Sequence, residues 1–157
     1  MTAVFSEQSE AKIQETLKHY PTRQAALLPV FWIAQREFGW ISSEVMELIA
    51  KRLDLSPAHV YGVATFYTML HKKPVGKYHL QVCRTLPCAL LGCDSLIGRL
   101  KQKLGIGDGE TTPNGRFTLT TVECLASCGT GPAMMVNEKY YEELTVERVD
   151  EILGELK

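Results

Sequence analysis

The sequence lacks a charge excess, a long apolar run and a secretion signal. Its 17 basic residues nearly balance its 18 acidic residues, so electrostatics gives no reason to expect nucleic acid or an anionic membrane as a partner. No apolar run approaches the roughly 20 residues that a membrane-spanning helix needs, and direct membrane insertion is not expected. The N-terminal stretch MTAVFSEQSEAK has neither an apolar signal core nor an Arg-rich transit pattern. We therefore predict a cytoplasmic protein.

Motifs for nucleotide binding and for disulfide exchange are also missing. GIGDG at 105–109 is too short for the dinucleotide fingerprint, and no Gly-rich loop precedes a Lys-Ser or Lys-Thr pair. No Cys-x-x-Cys occurs, which argues against a thioredoxin-like disulfide enzyme. The histidines are not interleaved with the cysteines, which argues against a Rieske centre. Surface or packing roles are expected for these histidines, which are His19, His59, His71 and His79.

Cysteine is absent from residues 1–82, whereas all five cysteines lie within residues 83–128. This asymmetry predicts two parts, a helical domain over 1–75 and a cysteine-bearing domain over 76–157. The segment HKKPVGK, which contains Pro and Gly, is expected to link them. In a reducing cytosol, clustered cysteines more often bind metal or perform redox chemistry than form disulfides. A metal or redox site is therefore expected in the second part.

Apolar residues in the first part recur with helical spacing. Three such stripes precede Ser56-Pro57, which reads as an N-cap followed by proline and predicts a fourth helix. Pro29, inside the second stripe, is expected to kink that helix or to mark its first turn. The aromatic residues Tyr61, Phe66 and Tyr67 are predicted to lie in the helical core and not on a partner surface. The region is predicted to be a small helical bundle.

Strands and helices alternate in the second part. Apolar residues at every second position predict strands over 78–83 and 117–122. A helix ending at Gly105, a short hairpin around Asn137-Glu138 and a C-terminal helix capped by Thr145 complete the order. This order predicts a compact α/β layer, and it matches a thioredoxin-like arrangement.

Five cysteines define the candidate site. The stretch VCRTLPCALLGC contains the pattern Cys-x4-Cys twice, and spacing alone does not choose between Cys83 with Cys88 and Cys88 with Cys93. In VECLASCGTGP, Cys124 and Cys128 follow a predicted strand. Four thiolates suit structural zinc, which usually shows shorter intervals, or a [2Fe–2S] cluster, in which each iron takes two thiolates. Both interpretations stay open on the residues alone.

Four segments carry a resemblance to a known family: AQREFGWIS, VYGVATFY, LQVCRTLPC and GRFTLTTVECLASC. They closely resemble the small [2Fe–2S] subunits of the flavoprotein module of bacterial NADH:quinone oxidoreductase, respiratory complex I. The same family includes equivalent subunits of NAD-linked hydrogenases and formate dehydrogenases. The likeness covers nearly the whole chain. It implies an α/β protein in which a small N-terminal helical bundle precedes a thioredoxin-like [2Fe–2S] ferredoxin domain.

The resemblance also implies a ligand set. The family's first pair falls on Cys83 and Cys88 and its second pair on Cys124 and Cys128, so that each pair would hold one iron of a single [2Fe–2S] cluster. Cys93 has no role in this pattern and is expected to be a small, semi-buried thiol.

Partners follow from the same resemblance. In the family, the subunit sits beside a larger flavoprotein that binds FMN and NADH and carries a further iron–sulfur cluster. The chain is then expected to exchange single electrons with that FMN, with no independent catalysis, and the bundle over 1–75 is expected to dock the partner. Its expected place is the hydrophilic arm of the larger respiratory complex, peripheral to the inner membrane.

Two residues depart from the family's usual pattern, Cys-Leu-Gly-x-Cys-x-x-Ala-Pro. Ala126 replaces the glycine and Gly131 replaces the alanine. Both departures leave the ligands in place, but they bear on the hydrogen bonds that the sulfur atoms receive. Arg84, next to the first ligand, is expected to influence the reduction potential.

Overall fold

A computed structural model of the chain describes residues 3–156. The chain divides into two compact units, one ending at Pro74 and the other beginning at Val75. None of the helices in the described residues is both long enough and apolar enough to cross a membrane. The elements in chain order are α1 (Glu7–Lys18), α2 (Leu27–Phe38), α3 (Ser43–Leu53), α4 (Pro57–Phe66), β1 (Tyr78–Cys83), α5 (Leu86–Leu90), α6 (Cys93–Leu104), β2 (Phe117–Val122), β3 (Met134–Val136), β4 (Lys139–Tyr141) and α7 (Val146–Glu155).

The first unit is a bundle of four helices, as predicted. Serine caps define two of its helices, because the Ser6 hydroxyl accepts a hydrogen bond from the Ser9 N–H and the Ser42 hydroxyl accepts one from the Val45 N–H. Pro29 lies in the first turn of α2, where a missing N–H costs no helical hydrogen bond. The apolar stripes pack into one core, whose largest fully buried side chains are Ile13, Leu27, Phe31, Ile41, Ile49, Leu53 and Leu70.

The prediction of an aromatic core in α4 is wrong for two of its three residues. Tyr61 is 60% exposed and Phe66 is 77% exposed, whereas Tyr67 packs partly buried against the core. The core-facing positions of α4 belong to Val60 and Ala64, which lie one turn apart on the same side of the helix. α4 contains no Asp, Glu, Lys or Arg, so hydrophobicity alone could not show which side faces the core.

The second unit is built on a four-stranded sheet in the order β2-β1-β3-β4. β1 pairs with β2 in parallel, with Tyr78 opposite Phe117 at one end and Cys83 opposite Val122 at the other. β3 runs antiparallel to β1 and to β4. The predicted strands and the predicted hairpin are therefore present, and the α/β class with an N-terminal helical bundle is confirmed.

α6 and α7 supply helical cover for the sheet. Leu96, Leu100, Val149 and Ile152 belong to the buried core together with the apolar residues of β1 and β2. The Arg99 guanidinium on α6 binds the Asp150 carboxylate on α7 through two nitrogen atoms. Hydrogen bonds from Arg99 and then Lys103 lower the pKa of Asp150 to about 2, so the pair stays ionised at neutral pH.

One element was not predicted. The segment Leu86–Leu90, for which the sequence predicted no element, is the short helix α5, which has five residues. Apolar periodicity cannot reveal so short a helix, because a helical pattern needs a window of about 11–18 residues. Since α5 lies between β1 and α6, it places Cys88 in the interior of the unit.

Gly76 explains why the second unit begins where it does. A Cβ at this position would lie 2.9 Å from backbone atoms of Arg116 and Phe117. The Gly76 N–H also donates a 2.7 Å hydrogen bond to the Thr118 hydroxyl. The chain therefore enters β1 directly against the start of β2.

We expect Gly76→Ala to destabilise the second unit by about 1–3 kcal/mol, because the added methyl group meets backbone that cannot move aside. Urea unfolding of the chain, followed by circular dichroism, measures the change. Gly98→Ala is the matched control, since Gly98 lies in α6 with nothing within 4 Å of its Cβ position. That control should stabilise the unit by about 0.5–1 kcal/mol. Equal effects from the two substitutions would contradict the close approach.

Candidate metal centre

The candidate site lies at the end of the sheet where the parallel strands β1 and β2 finish. Cys83 is the last residue of β1, and Cys124 follows the last residue of β2 by two positions. The Arg84 N–H donates to the Val122 carbonyl at 3.0 Å, so the strands remain paired up to this edge. Parallel pairing therefore brings the cysteines of two distant sequence segments to one edge.

Cys83 and Cys88 form a buried pair. β1 delivers Cys83, and α5 turns the chain back so that Cys88 lies beside it, with both side chains at most 3% exposed. The Cys88 thiol hydrogen-bonds to the Cys83 sulfur. Burial raises the pKa of Cys88, and that hydrogen bond raises it further. The structure thus places Cys88 beside Cys83, and Cys93 lies near enough to interact electrostatically with both. Which pair binds iron stays a prediction.

Polar groups converge on the Cys83 sulfur. Burial opposes its ionisation, but hydrogen bonds from the hydroxyl and N–H of Thr85 and from the N–H of Leu125 outweigh burial and lower the pKa of Cys83. The Thr85 hydroxyl oxygen lies 3.2 Å from the sulfur. Hydrogen bonds of this kind stabilise a thiolate, which is the form that binds metal.

Cys124 and Cys128 lie in the loop over residues 123–133, and both are exposed. The backbone of this loop contacts the first pair, because the Glu123 carbonyl lies 3.5 Å from the Cys83 sulfur and the Ala133 N–H interacts with the Cys88 sulfur. The loop that carries Cys124 and Cys128 therefore packs directly against Cys83 and Cys88.

Glu142 holds this loop from the outside. Its carboxylate accepts hydrogen bonds from the hydroxyls of Ser127 and Thr130, which flank Cys128 in sequence. These bonds lower the pKa of Glu142. The backbone adds two more links, from the Glu143 N–H to the Thr130 carbonyl at 2.7 Å and from the Leu144 N–H to the Pro132 carbonyl at 3.1 Å. The segment after β4 thus positions the second cysteine pair.

Arg84 forms an ion pair with Glu123. Its guanidinium donates to one oxygen of Glu123 through Nε at 3.1 Å and through Nη2 at 2.7 Å. Both side chains are more than half exposed. The positive charge that was expected to influence the potential is therefore largely compensated by its neighbour.

Cys93 differs from the semi-buried thiol that was predicted. It is the first residue of α6 and is fully buried in the core of the unit. Burial raises the pKa of Cys93, and the negative charges of Asp94 and Cys83 add to the effect. A thiol that stays protonated inside an apolar core packs as a small hydrophobic side chain.

The two departures from the family pattern have structural consequences. Ala126 has φ = +58°, in the left-handed region that costs an L-residue about 1–2 kcal/mol. Its N–H nevertheless donates to the Cys124 sulfur at 3.3 Å, so this hydrogen bond survives the replacement of glycine. At Gly131, an added Cβ would lie 3.3 Å from the Cys88 sulfur, which makes this contact tight for alanine.

These residues fit an iron–sulfur cluster. The edge offers thiol sulfur, the ligand that [2Fe–2S] clusters take from proteins, and it aims the N–H groups of Leu125, Ala126 and Ala133 at sulfur atoms. Such donors offset negative charge on ligand sulfur. Within residues 3–156, no three His, Cys, Asp or Glu side chains converge closely enough to hold a single metal ion.

Sequence reasoning missed two polar residues of the site. Thr85 follows Cys83 by two positions, and a hydroxyl so close to a candidate ligand is a signal that could have been used. Glu142 is 14 positions beyond Cys128, past two further strands, and only the folded chain brings it to the loop.

Comparison with known proteins points to the same kind of site. A family profile described as thioredoxin-like [2Fe–2S] ferredoxin matches residues 13–157. The chain is 42% identical to a subunit of the NADH-quinone oxidoreductase of Rhizobium meliloti, over 90% of this chain and 84% of the relative. It is 44% identical to NADH-quinone oxidoreductase subunit 2 of Thermus thermophilus, over 98% of this chain and 86% of the relative.

A solved structure shares the fold. The crystal structure of an air-oxidised NAD⁺-reducing [NiFe]-hydrogenase superposes with a TM-score of 0.73 at 18% identity. The match covers 83% of this chain and 22% of the hydrogenase chain, so the chain spans less than a quarter of that protein. At this identity the match establishes the fold.

We expect Ala126→Gly to stabilise the second unit by about 1 kcal/mol, because glycine adopts a positive φ without the strain that alanine meets. The thermal midpoint of the cluster-loaded chain, followed by visible absorption, measures the gain. Ala89→Gly is the matched control, since Ala89 is exposed in α5 and glycine weakens a helix. The interpretation fails if both variants shift the midpoint in the same direction.

We expect Glu142→Ala to accelerate release of iron to a chelator, because the loop loses the acceptor for two hydroxyls. Glu142→Gln should fall between Glu142→Ala and wild type, since an amide oxygen still accepts hydrogen bonds but lacks the charge. The control is Glu138→Gln, which removes a carboxylate charge in the turn between β3 and β4. A Glu142→Ala variant that releases iron as slowly as wild type would disprove the role assigned to Glu142.

Proposed function

The chain belongs to the family of thioredoxin-like [2Fe–2S] ferredoxins, and we propose that it is the electron-transfer subunit of an NADH:quinone oxidoreductase. Relatives at 42% and 44% identity that bear this enzyme's name support the assignment. The observation that carries the proposal is the buried pair of Cys83 and Cys88 against the loop of Cys124 and Cys128. That arrangement suits one cluster that carries electrons.

The proposed ligands are Cys83 and Cys88 for one iron and Cys124 and Cys128 for the other. A bound [2Fe–2S] cluster supplies a site that accepts and donates one electron at a time. The protein supplies position and electrostatics. Thr85 and the N–H groups of Leu125, Ala126 and Ala133 offset the negative charge on the ligand sulfurs, which favours the reduced state.

The proposed partner is a flavoprotein subunit that binds FMN and NADH and carries a further iron–sulfur cluster. A flavin receives two electrons with a hydride from NADH, whereas the clusters that follow take electrons singly. A one-electron site beside the flavin accepts or stores one electron of the pair. In this proposal the chain works in the hydrophilic arm of a larger respiratory complex, peripheral to the inner membrane on the cytoplasmic side, and catalyses nothing alone.

Spectroscopy tests the cluster assignment. The anaerobically purified chain should absorb visible light, contain two irons per chain as one [2Fe–2S] cluster requires, and show an EPR signal after reduction with dithionite. Addition of NADH with the FMN-containing flavoprotein subunit should produce the same EPR signal, and NADH alone should not. A colourless chain with stoichiometric zinc would refute the proposal in favour of a structural zinc module.

Cysteine variants test the ligand set. Cys88→Ser should lose the cluster, because a ligand sulfur is removed. Cys93→Ala is the matched control and should keep the cluster's iron content and EPR signal, since Cys93 packs in the core and alanine fits there with only a small void. If Cys93→Ala lost the cluster and Cys88→Ser kept it, Cys93 would be the ligand.

A deletion strain tests the host complex. Loss of the chain should abolish NADH:quinone activity in membrane preparations, and hydrogen- or formate-dependent reduction of NAD⁺ should continue. Loss of one of those two activities instead would assign the chain to an NAD-linked hydrogenase or formate dehydrogenase.

A further inference from the structure

We propose that the chain takes up its cluster in a fixed order, in which Cys124 and Cys128 bind first and Cys83 and Cys88 bind afterwards, when the cysteine loop closes. The cysteine loop is the segment over residues 123–133. The class of reaction that supplies the cluster is ligand exchange with a donor that holds a [2Fe–2S] cluster through thiolates. The inference rests on the proposed function and adds to it the way in which the site is loaded.

The four proposed ligands differ in accessibility. Cys83 is 3% and Cys88 is 1% exposed, whereas Cys124 and Cys128 are both exposed. A donor complex is bulky, because it carries its own ligands around the iron atoms. In the folded chain it can reach the sulfur atoms of the exposed pair, but it cannot reach those of the buried pair. First contact therefore falls on Cys124 and Cys128.

The cysteine loop itself covers the buried pair. The Cys83 thiol donates to the Glu123 carbonyl at 3.5 Å, and a Cβ placed on Gly131 would lie 3.3 Å from the Cys88 sulfur. Backbone near each end of the loop thus lies against one of the two buried sulfur atoms. The buried pair becomes accessible only when the loop moves outward, and this movement carries the exposed pair with it.

The contacts of the cysteine loop suit such an opening. None of the residues over 123–131 is buried. The loop is held from outside by the Glu142 carboxylate, which accepts hydrogen bonds from Ser127 and Thr130, and by the hydrogen bond from the Glu143 N–H to the Thr130 carbonyl. Segments with few buried apolar contacts open locally at a much lower free energy than the whole domain unfolds. The loop therefore opens while the sheet stays intact.

The exchange is balanced in atoms and electrons. At each step one bond between iron and a donor sulfur breaks, and one bond between the same iron and a cysteine sulfur of this chain forms. The proton of that cysteine thiol passes to the thiolate that leaves the donor, and no iron changes its oxidation state. Two exchanges at the exposed pair attach the cluster to the loop. After closure, Cys83 and Cys88 replace the two remaining donor thiolates.

The test mixes the cluster-free, full-length chain with a [2Fe–2S] cluster held by glutathione thiolates. Visible circular dichroism follows the transfer. Cys124→Ala and Cys128→Ala should each lower the second-order rate constant of transfer by about tenfold, because one cysteine alone lacks the gain of two linked binding groups. Cys83→Ala and Cys88→Ala should leave this rate constant unchanged, and mass spectrometry should find glutathione still bound to their clusters, which are then lost on purification.

Cys93→Ala is the matched control, since it removes a buried thiol that is not a proposed ligand. It should load as wild type does and retain no glutathione. Rate constants in the buried-pair variants that fall as far as those of the exposed-pair variants, or further, would overturn the order and leave the proposed function intact. A wild-type chain that holds no [2Fe–2S] cluster at the end of the reaction would instead overturn the proposed function.

Glu142→Ala tests the closure step without touching a ligand. Transfer should keep its wild-type rate constant, but release of the last glutathione should slow by about tenfold, since the loop loses two hydrogen bonds to a charged acceptor. Glu138→Gln, in the exposed turn between β3 and β4, is the matched control and should change neither rate. Release of glutathione from Glu142→Ala at the wild-type rate would show that loop closure is not the second stage.

Discussion

The parallel pairing of β1 with β2 is the constraint on which the candidate site depends. Because both strands run in the same direction, Cys83 at the end of β1 and the cysteine loop after β2 emerge at one edge. Segments far apart in the chain are thereby held near each other without any cross-link. The close approach at Gly76 keeps the strands aligned at their beginning, and the hydrogen bond from Arg84 to Val122 keeps them aligned at their end.

The proposed cysteine ligands would bring negative charge to a partly buried edge, where most of the donors to their sulfur atoms are backbone N–H groups. Most of these donors belong to the cysteine loop itself. The conformation of this loop therefore also determines the electrostatic environment of the sulfur atoms. Ala126 illustrates this dependence. Its backbone has a strained, positive φ, and in this conformation its N–H donates to the Cys124 sulfur. Glu142 contributes from outside by binding hydroxyls of the loop, which stabilises the loop without placing a carboxylate on the sulfurs.

The apolar side chains of this protein divide into two buried cores and a few exposed residues. Each unit has its own core of aliphatic side chains, and these cores do not include the leucines of α5. Leu86 and Leu90 on α5, and Leu91 after it, are exposed instead. The short helix α5 is anchored to the core of the second unit by Cys88.

The sequence alone determined most of the elements, because their signals are local. Apolar residues at every second position predicted β1 and β2, and N-cap residues predicted the starts of α4 and α7. The cysteine motifs with their flanking strands indicated the family. Other features depend on tertiary packing and leave no local pattern in the sequence. α5 has too few residues for a periodic signal, and α4 is largely apolar on all sides, so only packing selected Val60 over Tyr61 for the core. The burial of Cys83 beside Cys88, and the hydrogen bonds from the cysteine loop to Glu142, likewise arose only when the chain folded, because both depend on distances across the fold and not along the chain.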